Sequence, residues 1–311
     1  MQAKYFQKIL LMSNLDSRDA SKSPASGQAY SYGASLRPPR GNYAAARPDY
    51  TCEQQWQSYS SDEHDRYRRL YEDRIAKLPG LACQAFISSL TALDAAKAIP
   101  NLVNASIALR KTTGWELVGV PGLIPENAFF KLLSERRFPI TTWLREESEF
   151  NYIVEPDIFH DFFGHVPLLF NPMFADYMQA YGRGGLKADR LNALEYLARL
   201  YWYTVEFGLI NTKEGLRIYG AGILSSGNEP HYSLFSPKPK RIGFDLRRVM
   251  ATTYRIDDFQ DTYFVIDSFE QLFEATAPDF THLYTQVAQG LTFSPGEITA
   301  TDKIFRTTTE G

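Results

Sequence analysis

The chain has 311 residues, 44% hydrophobic and 22% charged, the make-up of an ordinary globular protein whose core is large enough to hold without disulfide staples. Its 33 basic and 36 acidic side chains leave a net charge of -3, which gives no electrostatic footing for nucleic acid or an anionic membrane as partner. No stretch approaches the ~18 apolar residues of a membrane span, and the two cysteines, Cys52 and Cys83, have no metal-type spacing and build no disulfide framework, so a reducing, cytoplasmic setting is expected.

The first apolar run, Ile9 to Met12, is too short for a secretory signal, and Met12 is itself a second candidate start. Residues 13 to about 53 are dominated by Ser, Ala, Gly, Pro and Arg with no apolar period, so 1–53 is expected to be a disordered or loosely draped tail. A globular domain is expected over 54–293 and a polar tail over 294–311, with no heptads to form an oligomerisation helix. Within the domain, Ser60 and Glu63 form a capping-box pattern. Behind it Tyr67, Leu70, Tyr71, Ile75 and Leu78 recur at helical spacing up to Pro79-Gly80. Helices are expected at 81–93 and 101–113, the latter ended by Gly114. A strand is expected in 115–120, and Pro125 suits the first turn of a helix carrying Phe129, Phe130, Leu132 and Leu133. FPITTWLR, 138–145, alternates like a strand; Asn171-Pro172 pairs as N-cap and first helical residue; and 189–207 reads as one long core-facing helix. Short strands at 216–220 and 263–267 follow, then a helix capped by Ser268 and Gln271. The expected fold is mainly α with a few short β-strands, in a single domain.

Three ionisable side chains sit where packing alone would not choose them: His160 and His165 in EPDIFHDFFGHVPLLF, and Glu206 in YWYTVEFGLI. Residues five apart on a regular helix diverge by about 140°. Gly164 is expected to permit an irregular last turn and Pro167 to push Val166 out of the α region, letting His165 swing toward His160. A carboxylate between Val205 and Phe207 must be neutral, paired or metal-bound. Two imidazoles and one carboxylate form the facial triad of non-haem iron(II), though the same donors serve zinc, and each is also compatible with a satisfied core residue. Of the other histidines, His64 is expected on a solvated helix face, His231 in a loop and His282 in the last helix.

EPDIFHDFFGHVPLL, YWYTVEFGLI and IYGAGILSS, with VPGLIPENAFF and FPITTWLR upstream, resemble the pterin-dependent aromatic amino acid hydroxylases over about residues 60 to 290, and look most like their short bacterial phenylalanine 4-hydroxylases. The resemblance implies a monooxygenase that converts L-phenylalanine to L-tyrosine with O2 and a tetrahydropterin (tetrahydrobiopterin or a relative) at a non-haem Fe(II) centre. It implies His160, His165 and Glu206 as the iron ligands and catalytic centre; Gly122, Leu123, Phe129 and Asp161 as pterin contacts; and Arg145 as the grip on the substrate carboxylate. Pro156, Trp202, Phe207, Gly222 and Ser225 match positions around the substrate, and Tyr201 an aromatic beside the iron. Asp161 stands where animal members have Glu, and Ile153 where animal phenylalanine enzymes have Thr. The animal regulatory domain and tetramerisation helix have no counterpart, so a monomer is expected, linked functionally to pterin-recycling enzymes. The alternatives are a tryptophan or tyrosine hydroxylase of the same family, a His2Glu zinc hydrolase, which would want a second carboxylate as base, and an inactive binding protein on the same fold.

Overall fold

The computed structural model describes residues 40–307, except 94, 152, 154, 257 and 291. What the sequence suggests for residues 1–39, including the choice of start codon, lies outside the described residues. In chain order the elements are α1 (Ser61–Ala76), α2 (Gln84–Ala92), α3 (Leu102–Thr112), β1 (Glu116–Val120), α4 (Glu126–Ser134), β2 (Arg137–Thr141), α5 (Pro172–Arg190), α6 (Leu194–Tyr201), β3 (Leu209–Thr212), β4 (Gly215–Ile218), α7 (Ala221–Leu224), α8 (Glu229–Phe235), β5 (Lys240–Gly243), α9 (Leu246–Ala251), β6 (Thr262–Ile266), α10 (Phe269–Thr276), α11 (Thr281–Gln289) and β7 (Ile304–Phe305). Two π turns, His160–His165 and Trp202–Glu206, interrupt the helical pattern. The fold is mainly α with a few short strands, as expected.

Local signals explain most of the element starts. Ser60 accepts a hydrogen bond from Glu63 N while the Glu63 carboxylate accepts from Ser60 N, a complete capping box. Asn171 caps α5 through Phe174 N at 3.0 Å, with Pro172 at the first helical position. Ser268 caps α10, but Gln271 turns its side-chain oxygen to Asp267 N at 2.7 Å rather than to Ser268.

β1 and β2 pair in parallel, Glu116 opposite Arg137. The other five strands form a mixed sheet in the order β4-β3-β6-β5-β7, with β3 and β5 parallel to the central β6 and the outer strands antiparallel. β6 is buried along its whole length, as a strand covered on both faces must be. One continuous apolar cluster runs from Tyr67 on α1 to Val287 on α11 and includes Phe162 and Phe163 of the first π turn and Trp202, Tyr203 and Val205 of the second.

Four expectations need correction. The strand expected over 138–145 ends at Thr141, because Arg145 is drawn off by Asp157 and Trp143 O is taken by Ile158 N. The helix expected over 189–207 is broken: α5 ends at Arg190, Asn192 adopts φ 51°, Leu191 is exposed, and α6 starts afresh at Leu194. His64 lies on α1 as expected but is half-buried rather than fully solvated, since its Nδ1 accepts from Ile99 N at 3.2 Å and its ring lies against Trp56 and Tyr59. His231 lies in α8 rather than in a loop.

Ordered contacts also extend past both expected domain boundaries. Cys52 N donates to Gly119 O at 2.7 Å, Thr51 is buried, and the Arg40 guanidinium pairs with Glu149 over the Trp143 ring. At the other end β7 pairs with β5, and Arg248 bonds Asp302.

Candidate metal centre and its pocket

The histidine pair is brought together by a widened turn. From His160 to His165 the backbone bonds i to i+5, so two residues five apart fall on one side. The means differ from those expected. Val166 keeps α-helical angles (φ -61°, ψ -40°) despite the proline after it, because the chain runs straight on into a 3-10 turn at Val166–Phe170. Gly164 serves a close approach: a Cβ there would stand 2.9 Å from Ala221 O and 3.0 Å from Ala221 Cβ on α7.

Asp157, which sequence reasoning passed over, starts the turn. Its carboxylate accepts from His160 N at 3.0 Å and from Arg145 N, Nε and Nη2 at 2.9, 2.8 and 2.8 Å. Burial would raise the Asp157 carboxyl, but the Arg145 guanidinium outweighs it and holds the group below the usual carboxylate range. The signal was there: Asp three residues before a helical His is an N-cap spacing.

Glu206 comes from the second π turn, where Phe207 N bonds Trp202 O at 2.9 Å, again i to i+5. The donor atoms of His160, His165 and Glu206 all lie within 4.8 Å of one another, and all three side chains are buried. The His165 Nε2 to His160 Nε2 distance is 3.3 Å, His165 Nε2 to Glu206 Oε1 is 3.1 Å, and His160 Nε2 to Glu206 Oε2 is 3.7 Å.

The protons around this point can be placed. Ser225 donates its hydroxyl to Ala221 O at 2.8 Å, so its Oγ must accept from His160 Nδ1, also at 2.8 Å. That puts the His160 proton on Nδ1 and aims the Nε2 lone pair at the centre. Burial drives the His160 pKa down to about 3, so the ring is neutral. Burial pushes the Glu206 carboxyl up, yet His165 beside it outweighs that, and the carboxyl is held below its usual range. Neither Glu206 oxygen has a hydrogen-bonded donor among the described residues. A carboxylate so placed is costly unless a cation completes it. Two nitrogens and one oxygen, all on one side, suit a divalent transition metal with open positions.

Around the centre the structure gathers several of the expected pocket residues. Trp202 lies 4.4 Å from Phe207 and 4.8 Å from Tyr254, and its Nε1 donates to Gln260 Oε1 at 2.8 Å, a support not foreseen. Gly222 backs the carboxylate: a Cβ there would be 2.8 Å from Phe207 Cζ and 3.1 Å from Glu206 Oε2. Phe129 on α4 meets Tyr201 edge-on at 6.0 Å, and Tyr201 lies 6.3 Å from His165. Asp161 is buried and accepts from Thr141 N at 2.8 Å, and burial lifts its carboxyl to about 7. Arg145 is buried over Phe159 at 5.4 Å, with Nε and Nη2 turned to Asp157 and no acceptor on Nη1 among the described residues. Pro156 is buried at the start of the same segment. Gly122 and Leu123 lie in the β1–α4 loop. Gly122, at φ 151°, faces Tyr43 and Trp143 rather than the triad.

Comparison with known proteins points to one family. The family model described as "Biopterin-dependent aromatic amino acid hydroxylase" matches residues 37–290. A phenylalanine-4-hydroxylase of Ralstonia nicotianae is 55% identical over 259 residues, 83% of each chain. One of Chromobacterium violaceum is 54% identical over 257 residues, 82% of this chain and 86% of the relative. A crystal structure of the Chromobacterium violaceum phenylalanine hydroxylase bound to cobalt superposes with a TM-score of 0.81 at 54% identity, covering 83% of this chain and 93% of that one.

Proposed function

The chain belongs to the biopterin-dependent aromatic amino acid hydroxylases, and from that premise we propose that His160, His165 and Glu206 hold the Fe(II) with which it hydroxylates L-phenylalanine to L-tyrosine, using O2 and a tetrahydropterin. The observation that carries this reading is the convergence of three donors in a dry hollow, where the Glu206 oxygens have no hydrogen-bonded donor among the described residues. Iron and the pterin supply the activation of O2 and the electrons it takes up.

What this chain's own residues do follows from their placement. Ser225 holds His160 in the tautomer a metal needs. Arg145, with one edge fixed by Asp157, keeps its other edge for the carboxylate of an amino acid, the bidentate task to which a guanidinium is suited. Trp202, Phe207 and Pro156, with Gly222 leaving room between Phe207 and Glu206, form an apolar box for the substrate ring and exclude water from it. Phe129 offers a face to the pterin, and Gly122, Leu123 and Asp161 supply its polar contacts. A His2Glu zinc hydrolase is the weaker reading, since the two carboxyls beside the pair other than Glu206 are both engaged among the described residues, Asp161 by Thr141 N and Asp157 by Arg145 and His160 N.

We further read the protein as a cytoplasmic monomer that depends on a separate enzyme to reduce its spent pterin. Its two cysteines are free and buried, which suits a reducing compartment; no helix among the described residues is long and apolar enough to cross a membrane. The catalytic unit is 54–293 together with the flanking residues that pack on it. Aerobic turnover of phenylalanine with Fe(II) and tetrahydrobiopterin, with and without a chelator, tests the central reading. Tyrosine that the chelator abolishes is expected, and tyrosine formation that survives full chelation would overturn it. His160→Ala and Glu206→Ala should each lose iron and activity while keeping their helical circular dichroism.

A further inference from the structure

Glu126 is the first residue of α4, three positions before Phe129 and so on the same side of the helix. Its side chain is only 7% exposed, and its Oε1 is buried with no hydrogen-bond partner among the described residues. No arginine or lysine among the described residues pairs with it. The groups near enough for its charge to matter are Asp189 at the end of α5, Tyr181 and Tyr254. Tyr181 spends its hydroxyl on Leu197 O at 3.2 Å.

These neighbours locate the carboxyl. The Tyr181 ring is 5.2 Å from Tyr201, which in turn contacts Phe129 at 6.0 Å and His165 at 6.3 Å; Tyr254 stacks on Trp202 at 4.8 Å. Glu126 therefore stands beside Phe129 in the belt of rings that leads to the metal centre. Buried polar groups in folded proteins are almost always satisfied, and an exception beside the ring that is read as holding a ligand points to that ligand as its partner.

We propose that Glu126 reads the side chain of the pterin: while Phe129 takes the flat ring, the Glu126 carboxyl hydrogen-bonds hydroxyl groups on the chain carried at pterin C6. The proposal rests on the hydroxylase reading above and narrows its cofactor to pterins with a hydroxylated C6 chain. Burial, reinforced by Asp189, lifts the carboxyl to about 8, so the protonated form is present at neutral pH and can both donate to and accept from a diol. The rival role is complementing the positive end of the α4 dipole. That role requires neither burial nor a pocket, and it would show as stability rather than as ligand choice.

The experiment uses the iron-loaded full chain without oxygen and follows quenching of tryptophan fluorescence. Tetrahydrobiopterin and 6-methyltetrahydropterin share the ring and differ in the hydroxyls. The wild type should prefer the hydroxylated pterin by about tenfold, ~1.4 kcal/mol, the size of one satisfied hydrogen bond. Glu126→Leu should bind both pterins alike and melt no lower than the wild type, because it removes an unpaired polar group. Glu126→Gln, which still hydrogen-bonds, should keep part of the preference. Preference retained in Glu126→Leu, or equal affinities in the wild type, overturns the Glu126 assignment alone. Failure of the wild type to bind either pterin overturns the hydroxylase reading with it.

Discussion

Ser225→Ala isolates the contribution of one hydroxyl to the metal centre. Ser225 is buried at the end of α7, and its Oγ passes a hydrogen-bond chain from His160 Nδ1 to Ala221 O. With a methyl group there, the Nδ1 proton faces no acceptor in a dry site. An unmet buried donor costs ~1–3 kcal/mol. The imidazole escapes that cost by moving its proton to Nε2, which is the atom that must bind the ion. Metal binding then has to drive the proton back, and the cost reappears as lost affinity. Removing the hydrogen-bond partner of a metal-bound histidine elsewhere lowers affinity about 10–100-fold, or ~1.4–2.7 kcal/mol, in line with the first figure. The assay is an anaerobic Fe(II) titration against a competing chelator, with urea unfolding of the metal-free protein as control. An iron affinity within twofold of wild type, in a variant that folds normally, would refute both the tautomer and the role of Ser225.

Arg145→Lys keeps the charge but loses the fork. The KM for phenylalanine should rise at least about tenfold, and an unchanged KM with lowered stability would leave Arg145 as the partner of Asp157 only. Glu229→Gln tests a buried acid away from the metal: burial raises its carboxyl to about 7 from 4.5, against the opposing hydrogen bond from Tyr263 at 2.7 Å. Between those values the folded state holds a proton that the unfolded chain releases, so the stabilisation is full at low pH and lost as pH rises through about 7. From pH 5 to pH 8 the wild type should lose stability, on the order of 2–3 kcal/mol, relative to Glu229→Gln; parallel urea midpoints for the two proteins would contradict this. Truncation separates the two parts of the N-terminal region. Removal of residues 1–39 should leave kcat nearly intact, whereas removal of 1–53 strips the Cys52–Gly119 bridge and the Arg40–Glu149 pair from the β1 side and should lower Tm and raise the pterin KM. Identical Tm values for the two truncations would show that 40–53 adds nothing.

Legibility in this chain followed how local the cause was. The capping box at Ser60, the Asn171-Pro172 start and the strands at β1, β4 and β6 depend on neighbours a few residues away, and their positions were readable. The stretch 40–53 was not, because its composition is that of a tail while its partners, Gly119, Arg137 and Glu149, lie some 70 to 110 positions further on and are invisible to any window. The break at Asn192 was missed for a different reason: Leu191 and Leu194 continue an apolar period, and only the positive φ of Asn192 and the exposure of Leu191 show that the period crosses a turn. Asp157 was passed over because its main task, fixing Arg145, is a contact across a loop whose path the apparent strand at 138–145 had concealed.

The metal ligands were legible as residue types but not as a geometry, and the reason lies in the helical period. Three-and-four spacing is the signal that sequence reading recognises, and both turns that carry the ligands depart from it by one residue. Such widening costs regular hydrogen bonds, so something outside each turn must hold it. Here that support is shared. α7 packs its Ala221 against Gly164 of the first turn, its Gly222 against Glu206 of the second, and its following Ser225 under His160. A four-residue helix thus touches both turns and the orienting hydroxyl at once. The spacing of His160, His165 and Glu206 makes sense only with the segment 221–225 in place. IYGAGILSS is therefore as much a part of the metal centre as the ligands themselves: a bulky side chain at Gly164 should disturb the centre through Ala221 while touching none of its donor atoms, and one at Gly222 should press directly on Glu206 Oε2.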